Sequence, residues 1–166
     1  FQIYQQSPSV AYYTRESSKP TWWHLEKSVT KSRFEEGSLE KTWKEIITLL
    51  DKSIDQQLIN NFENSIDLIL NSAMVNIIGF RTSKALAYYF EYMLNEIYSK
   101  VRQLSYDSEF IYDRLLNVGK DEVVVIFALS PFSKVTIEVA EHCHKIGIPI
   151  ILITDHVSCP ISSYAK

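Results

Sequence analysis

The chain is poor in the residues that build cross-links and metal centres. It has two cysteines, Cys143 and Cys159, and four histidines in 166 residues. Two cysteines make neither a disulfide framework nor a zinc set. Free thiols fit a reducing cytosol, so a cytoplasmic location is expected, with no metal and no cofactor. His142, Cys143 and His144 adjoin, but on a helix residues i and i+2 point apart, whereas ligands come at i, i+3 or i, i+4. The expectation there is a half-buried Cys143 with exposed histidines on either side. No apolar run is long enough to span a bilayer and no signal peptide is visible, so no membrane partner is expected. An excess of positive charge is also missing. Seventeen Lys and Arg stand against 20 Asp and Glu, a formal net charge of −3, which is a poor footprint for gripping nucleic acid. No Ser-His-Asp order, P-loop or pair of catalytic carboxylates stands out, and no internal repeat of fixed period appears.

Glycine is scarce as well, with four in the chain, so each marks a place. Gly37 precedes a helical pattern and Gly79 closes a strand. Gly119 and Gly147 each follow a helical run and precede a strand, where a positive φ favours glycine.

What is present reads as an arm followed by an α/β unit. Residues 1–20 are polar and irregular, with Pro8 and Pro20. Residues 21–36 read as helix, with Trp22, Trp23 and Leu25 forming a short apolar patch. An amphipathic helix starts near Ser38, with Leu39, Trp43, Ile46, Ile47 and Leu50 on one face. Another starts near Asp55, carrying Leu58, Ile59, Phe62, Ile66 and Ile69. From Val75 the texture becomes βαβ. Strands are expected at 75–80, 100–104, 123–129 and 148–154. Helices intervene: one with Leu86, Tyr89, Phe90, Met93, Leu94 and Ile97 on one face, one around Phe110 to Leu116, and one over 133–146. Pro160 is placed to open a further helix at its first position. Strands alternating with helices imply a parallel sheet with right-handed crossovers, in the order 2-1-3-4. Such a sheet ordinarily has one more strand, so the chain is expected to be incomplete at its C-terminus. The aromatics of 88–92 and the three tryptophans, Trp22, Trp23 and Trp43, suggest contact with another subunit.

Two stretches share one plan of apolar strand, hydroxyl-bearing turn and helix. The first is Val75-Asn76-Ile77-Ile78-Gly79-Phe80-Arg81-Thr82-Ser83. The second is Val123-Val124-Val125-Ile126-Phe127-Ala128-Leu129-Ser130-Pro131-Phe132-Ser133. Parallel strands display their C-terminal ends on one edge, where helix N-termini attract anions. Gly79, Arg81, Thr82, Ser83, Ser130 and Ser133 are therefore the candidate ligand-binding residues. Thr82 or Ser83 is placed to cap the first helix and Ser133 the second. Asp155, at the end of the last strand, is placed to cap the turn that follows it or to touch a ligand, capping being the preferred reading. His156 is placed to face the pocket or, as preferred, to sit in a surface loop.

These same residues carry a resemblance. Ile77-Ile78-Gly79-Phe80-Arg81-Thr82-Ser83-Lys84-Ala85-Leu86-Ala87 resembles the first loop and helix of the SIS (sugar isomerase) domain, in the version found in MurR/RpiR-type bacterial transcriptional regulators. The stretch 122–138 resembles its next strand, loop and helix. Ile151-Leu152-Ile153-Thr154-Asp155 with Ser158-Cys159-Pro160-Ile161 resembles the stretch after its fourth strand. The resemblance implies a flavodoxin-like parallel sheet sandwiched by helices, usually oligomeric, that binds a phosphorylated sugar. It divides the chain into a linker and helical arm at 1–54 and a SIS-type domain at 55–166. Four positions depart from the family pattern. Arg81 stands where a second glycine is usual. Ala128-Leu129-Ser130-Pro131-Phe132-Ser133 replaces Ser-x-Ser-Gly-x-Ser/Thr, losing one serine and the glycine. Cys159 stands where serine is usual.

The implied role is the effector-sensing and oligomerising part of a sugar-responsive transcriptional regulator, not an enzyme. Its partners would be a sugar phosphate or similar small anion, further copies of itself, and DNA only through a helix-turn-helix domain that this chain does not contain. The alternatives are a phosphosugar isomerase, which needs a placed general base, and a ligand-free SIS assembly module.

Overall fold

The structure, a computed structural model, describes residues 38–107, 109–156 and 158–165. The expected arm and the helix at 21–36, with Trp22, Trp23 and His24, lie outside these residues. Two amphipathic helices come first, α1 (Ser38–Ser53) and α2 (Gln56–Asn71). The α/β unit follows as β1 (Val75–Gly79), α3 (Ser83–Asn95), β2 (Val101–Gln103), α4 (Ile111–Leu115), β3 (Val123–Ala128), α5 (Lys134–Ile146) and β4 (Ile150–Thr154). The four strands are parallel and ordered β2-β1-β3-β4, the order expected from the crossover rule.

Helices cover both faces of the sheet, so the central strands are buried on both sides and read as unbroken apolar runs. Every residue of β1 and β3 is buried. Ile78, Val124, Ile126 and Ala128 pack with Ile111 and Leu115 of α4 and Val139, Ala140 and Cys143 of α5. Val75, Ile77, Val123, Val125 and Phe127 face the other way, onto Ala87, Phe90 and Leu94 of α3 and Leu68 and Ile69 of α2. Cys143 is fully buried rather than half-buried, and burial pushes its thiol up to about 11.

The polar exception in β1 is Asn76, fully buried. A buried amide is tolerated when its hydrogen bonds are met. Its Nδ2 donates to Glu122 Oε2 at 2.7 Å, and its Oδ1 accepts from Arg102 Nε at 2.6 Å. Arg102 Nη2 closes the triangle on Glu122 Oε2 at 2.8 Å. The triangle ties β1, β2 and the approach to β3 together in the N-terminal half of the sheet.

Four local expectations change. The sheet-facing side of α3 is Ser83, Ala87, Phe90 and Leu94, while Leu86, Tyr89 and Met93 are exposed. The cause is Gly79: a Cβ there would come within 2.6 Å of Ser83 O and 2.8 Å of Ala87 Cβ. The first turns of the helix lie so close to the strand end that only Ser83 and Ala87 fit beneath them, while Phe90 and Leu94 reach the sheet further along and Leu86, Tyr89 and Met93 turn outward. Gly147 caps α5 with φ 81°, as expected, but Gly119 has no positive φ. At Gly119 a side chain would meet Asp121 Oδ1 at 2.5 Å. No helix starts at Pro160; the chain makes successive tight turns closed by Ser162 N–H to Cys159 O and Tyr164 N–H to Ile161 O. The strands end one or two residues inside their expected limits.

Leu39, Trp43, Ile46, Ile47 and Leu50 share one face of α1, and all are exposed in the single chain, as are Leu58, Ile59, Phe62 and Ile66 of α2.

Candidate functional site

The C-terminal edge of the sheet brings three strand ends side by side. Gly79 pairs with Phe127, and Ala128 with Thr154. The turn after β1 therefore lies next to the turn after β3, and the turn after β3 next to Asp155. Each of the first two turns leads into a helix of 13 residues, α3 or α5. The first-turn N–H groups of a helix lack intrahelical acceptors and carry the positive end of its dipole.

In the first turn the backbone reverses at Arg81, which holds φ 55°. This is left-handed geometry, which non-glycine residues seldom adopt, and it falls where the family pattern has glycine. Arg81 is exposed. Thr82 takes the N-cap position of α3 but in helical geometry and without a side-chain capping bond. Ser83 is the first helical residue and is buried. Its hydroxyl accepts a hydrogen bond from the Leu129 N–H at 3.2 Å. The two turns are thus tied together by a side chain.

Gly79 is held from the other side by Ser105. The Ser105 hydroxyl accepts from Gly79 N–H at 2.9 Å and lies 2.8 Å from Gly79 O. Gln103 Oε1 accepts from Ser105 N–H at 2.7 Å. Beside them, Lys84 Nζ donates to Tyr106 O at 2.6 Å, and the Tyr106 ring packs edge-on against Tyr88 at 4.9 Å. Tyr106 donates its hydroxyl to Glu91 at 2.9 Å. Desolvation, with the Glu91 carboxylate adding to it, pushes this phenol up to about 12.

The second turn is more closed than its sequence suggests. Leu129 N–H is taken by Ser83. Ser130 N–H points at Asp155, 3.2 Å from each carboxylate oxygen, and Ser130 Oγ donates to Asp155 Oδ1 at 3.4 Å. Pro131 has no N–H. Ser133 stands at the N-cap of α5, in extended geometry, without a side-chain capping bond. The next candidate donors are the N–H groups of the first turn of α5. Nearby, Glu138 bonds Tyr112 Oη at 2.9 Å and Lys134 Nζ at 3.3 Å. The Tyr112 hydrogen bond first, and Lys134 second, hold its carboxyl below the usual range.

All six candidate residues thus lie on the two adjoining turns, with Ser83 inside the fold and Arg81, Thr82 and Ser130 on its surface. Sequence reasoning preferred another role for Asp155 and missed Ser105. Asp155 reaches across to Ser130 instead of closing the next turn, where Ser158 N–H bonds His156 Nδ1 at 3.1 Å. The signal was available, since Asp155 follows a strand that neighbours β3. Ser105 follows β2 by two residues and so comes level with Gly79. Among the described residues no group of His, Cys, Asp and Glu is arranged to hold a metal ion, and no helix is long and apolar enough to cross a membrane. A cavity of about 110 Å³ lies at the opposite edge, lined by Ser72, Lys120, Asp121 and Pro149 among others, too small for a sugar-sized ligand.

A four-stranded parallel sheet covered by helices on both faces, with two hydroxyl-bearing strand–turn–helix units side by side on its C-terminal edge, defines an α/β sandwich. The SIS domain profile matches residues 68–166, and the chain belongs to that family. No curated protein matches it in sequence. Among solved structures it is similar to the sugar isomerase domain of an RpiR transcription factor from Sphaerobacter thermophilus. The TM-score is 0.70 at 17% identity, over 78% of this chain and 73% of that one. It is also similar to the Vibrio vulnificus NanR protein complexed with ManNAc-6P, with TM-score 0.67, 17% identity, and 86% and 53% covered. The chain thus spans about half the length of NanR. A third likeness is to a Methanococcus jannaschii protein for which a 3-hexulose-6-phosphate isomerase function is inferred. There the TM-score is 0.59 at 18% identity, over 77% of this chain and 68% of that one.

Proposed function

We propose that this chain is the effector-sensing and oligomerising part of a sugar-responsive transcriptional regulator. Its ligand is a phosphorylated sugar or related anion, bound where the turns after β1 and β3 meet. The observation that carries the reading is the latch between those turns, Ser83 hydroxyl to Leu129 N–H. It fixes the N-termini of α3 and α5 on adjoining strand ends, an arrangement that favours an anion. Membership of the SIS family and the likeness to two regulators, one of them complexed with ManNAc-6P, support the same reading. DNA contact belongs in this reading to a separate helix-turn-helix domain, and the acidic net charge supports that division.

The likeness to an inferred isomerase keeps an enzyme as the second reading. Isomerisation needs a base free to take a proton from the substrate carbon. The acid and imidazole groups described at this edge each already hold hydrogen-bond partners: Asp155 with Ser130, Glu138 with Tyr112 and Lys134, and His156 Nδ1 with Ser158. The regulator reading is therefore preferred.

The test is calorimetric titration of hexose 6-phosphates, including ManNAc-6P, with an isomerase assay on each. Saturable binding without turnover is expected. Turnover would establish the enzyme reading, and absence of binding across the panel would favour a ligand-free assembly module.

A further inference from the structure

Asp155 is the side chain at this edge that the anion-binding reading does not use. It is exposed, yet it is not turned to solvent alone: both of its carboxylate oxygens face the Ser130 N–H at 3.2 Å, and Oδ1 also accepts from the Ser130 hydroxyl. A carboxylate on a backbone N–H and a hydroxyl at a strand end occupies the donors that a phosphate oxygen would use. The two flanking donors are also closed, Leu129 N–H by Ser83 and position 131 by proline.

We propose that Asp155 is the specificity-determining residue of this edge, a built-in anion that holds the Ser130 corner against phosphate. The inference rests on the sugar-phosphate reading above and deepens it. A phosphorylated ligand must place its phosphate away from Ser130, toward Arg81 and the N-terminus of α5. Asp155 then meets the sugar's hydroxyl hydrogens as an acceptor. The carboxylate opposes a dianion placed near it and leaves an uncharged sugar unaffected by charge. Because Asp155 is exposed, that opposition is screened by salt.

The experiment measures binding of ManNAc-6P, unphosphorylated N-acetylmannosamine and inorganic phosphate to wild type, Asp155→Asn and Asp155→Ala. Asparagine keeps an oxygen for the Ser130 N–H and removes the charge, and the two variants together separate charge from hydrogen bonding. Both variants are expected to bind the two phosphate compounds about tenfold more tightly than wild type, a factor equal to about 1.4 kcal/mol. The gain should shrink between about 0.1 M and about 1 M salt, as the Debye length falls from about 10 Å to about 3 Å. The unphosphorylated sugar should show no gain. A loop-supporting role for Asp155 would move all ligands alike and would not follow salt. If wild type binds ManNAc-6P and the variants bind it equally or more weakly, the proposal is wrong while the sugar-phosphate reading stands. If neither wild type nor the variants bind any of the three, the Asp155 proposal is wrong, because removing the carboxylate should admit phosphate, while the sugar-phosphate reading is decided by the hexose 6-phosphate panel above.

Discussion

The hydroxyl of Ser83 lies 3.2 Å from the backbone nitrogen of Leu129 and accepts its N–H. Ser83 is buried, so this contact belongs to the fold before it belongs to any ligand. Ser83→Ala removes the acceptor and leaves a half-buried N–H without its partner. A loss of about 1–3 kcal/mol in stability is expected, seen as a lower Tm in the ligand-free protein. Anion affinity should fall with it, because the two turns are no longer held together. A Tm unchanged from wild type would show that the latch carries no energy.

Arg81 separates backbone geometry from charge in one position. Its φ of 55° costs a non-glycine residue about 1–2 kcal/mol. Arg81→Gly is therefore expected to fold at least as stably as wild type while binding a sugar phosphate more weakly, since the guanidinium is gone. Arg81→Val should be less stable than Arg81→Gly by about 1–2 kcal/mol, because a β-branched side chain resists this geometry most. Denaturant unfolding and calorimetry on the two variants read the two effects independently.

At Gly79 the constraint is space. A methyl group would come within 2.6 Å of Ser83 O and 2.8 Å of Ala87 Cβ, and backbone oxygen cannot swing aside as a flexible side chain can. Gly79→Ala should push α3 off the strand end and cost about 1–3 kcal/mol. It should also weaken the Ser83 latch, so its effect and that of Ser83→Ala should add to less than their sum. Full additivity in a double-mutant cycle would place the two residues in separate networks.

Much of this architecture was legible because burial on both faces writes parallel strands as plain apolar runs. The texture of 75–79 and 123–128, with helices between, was enough for the order β2-β1-β3-β4. That the two hydroxyl-bearing turns adjoin was likewise legible. The phase of α3 was not, because periodicity marks a stripe of large residues without saying which stripe lies down. Gly79, by admitting only Ser83 and Ala87 beneath the first turns, shifted it, so that Phe90 and Leu94 face the sheet and Leu86, Tyr89 and Met93 do not. The roles of Asp155 and Ser105 were hidden for a related reason. Each acts on a neighbouring strand's turn, 25 or 26 residues away in sequence, and only the strand order brings them level. Arg81 was visible as a replaced glycine, but its left-handed backbone is a property of the turn and not of arginine.

The buried thiol of Cys143 gives a pH dependence with a definite sign. Burial lifts it from 9.0 to about 11, so the unfolded chain loses this proton at lower pH than the folded one. Its contribution to stability is complete below about pH 9 and is lost as pH rises through about 11. Two units correspond to about 2–3 kcal/mol. Tyr106 and Cys159 shift in the same direction, so the comparison is wild type against Cys143→Ala. The fall in Tm between about pH 9 and about pH 11 should be shallower in the variant. Equal slopes would remove Cys143 as a cause.

The exposed faces of α1, α2 and α3 bear on assembly. Trp43 is 64% exposed, Phe62 65% and Tyr89 64%, and α1 aligns Leu39, Trp43, Ile46 and Leu50 along one side. Aromatics gathered on helices in this way mark subunit contacts more often than solvated faces. The oligomerising part of the proposed function therefore predicts a species larger than the monomer by analytical ultracentrifugation at tens of micromolar, roughly the range for a standard-size interface. Trp43→Asp and Phe62→Asp should each shift it toward monomer without lowering the helical signal, since neither side chain packs in the core of the single chain. If Tyr89→Asp dissociates the species and the other two do not, the contact runs through α3 alone. A wild-type chain that sediments only as monomer at that concentration would remove oligomerisation from the proposed function.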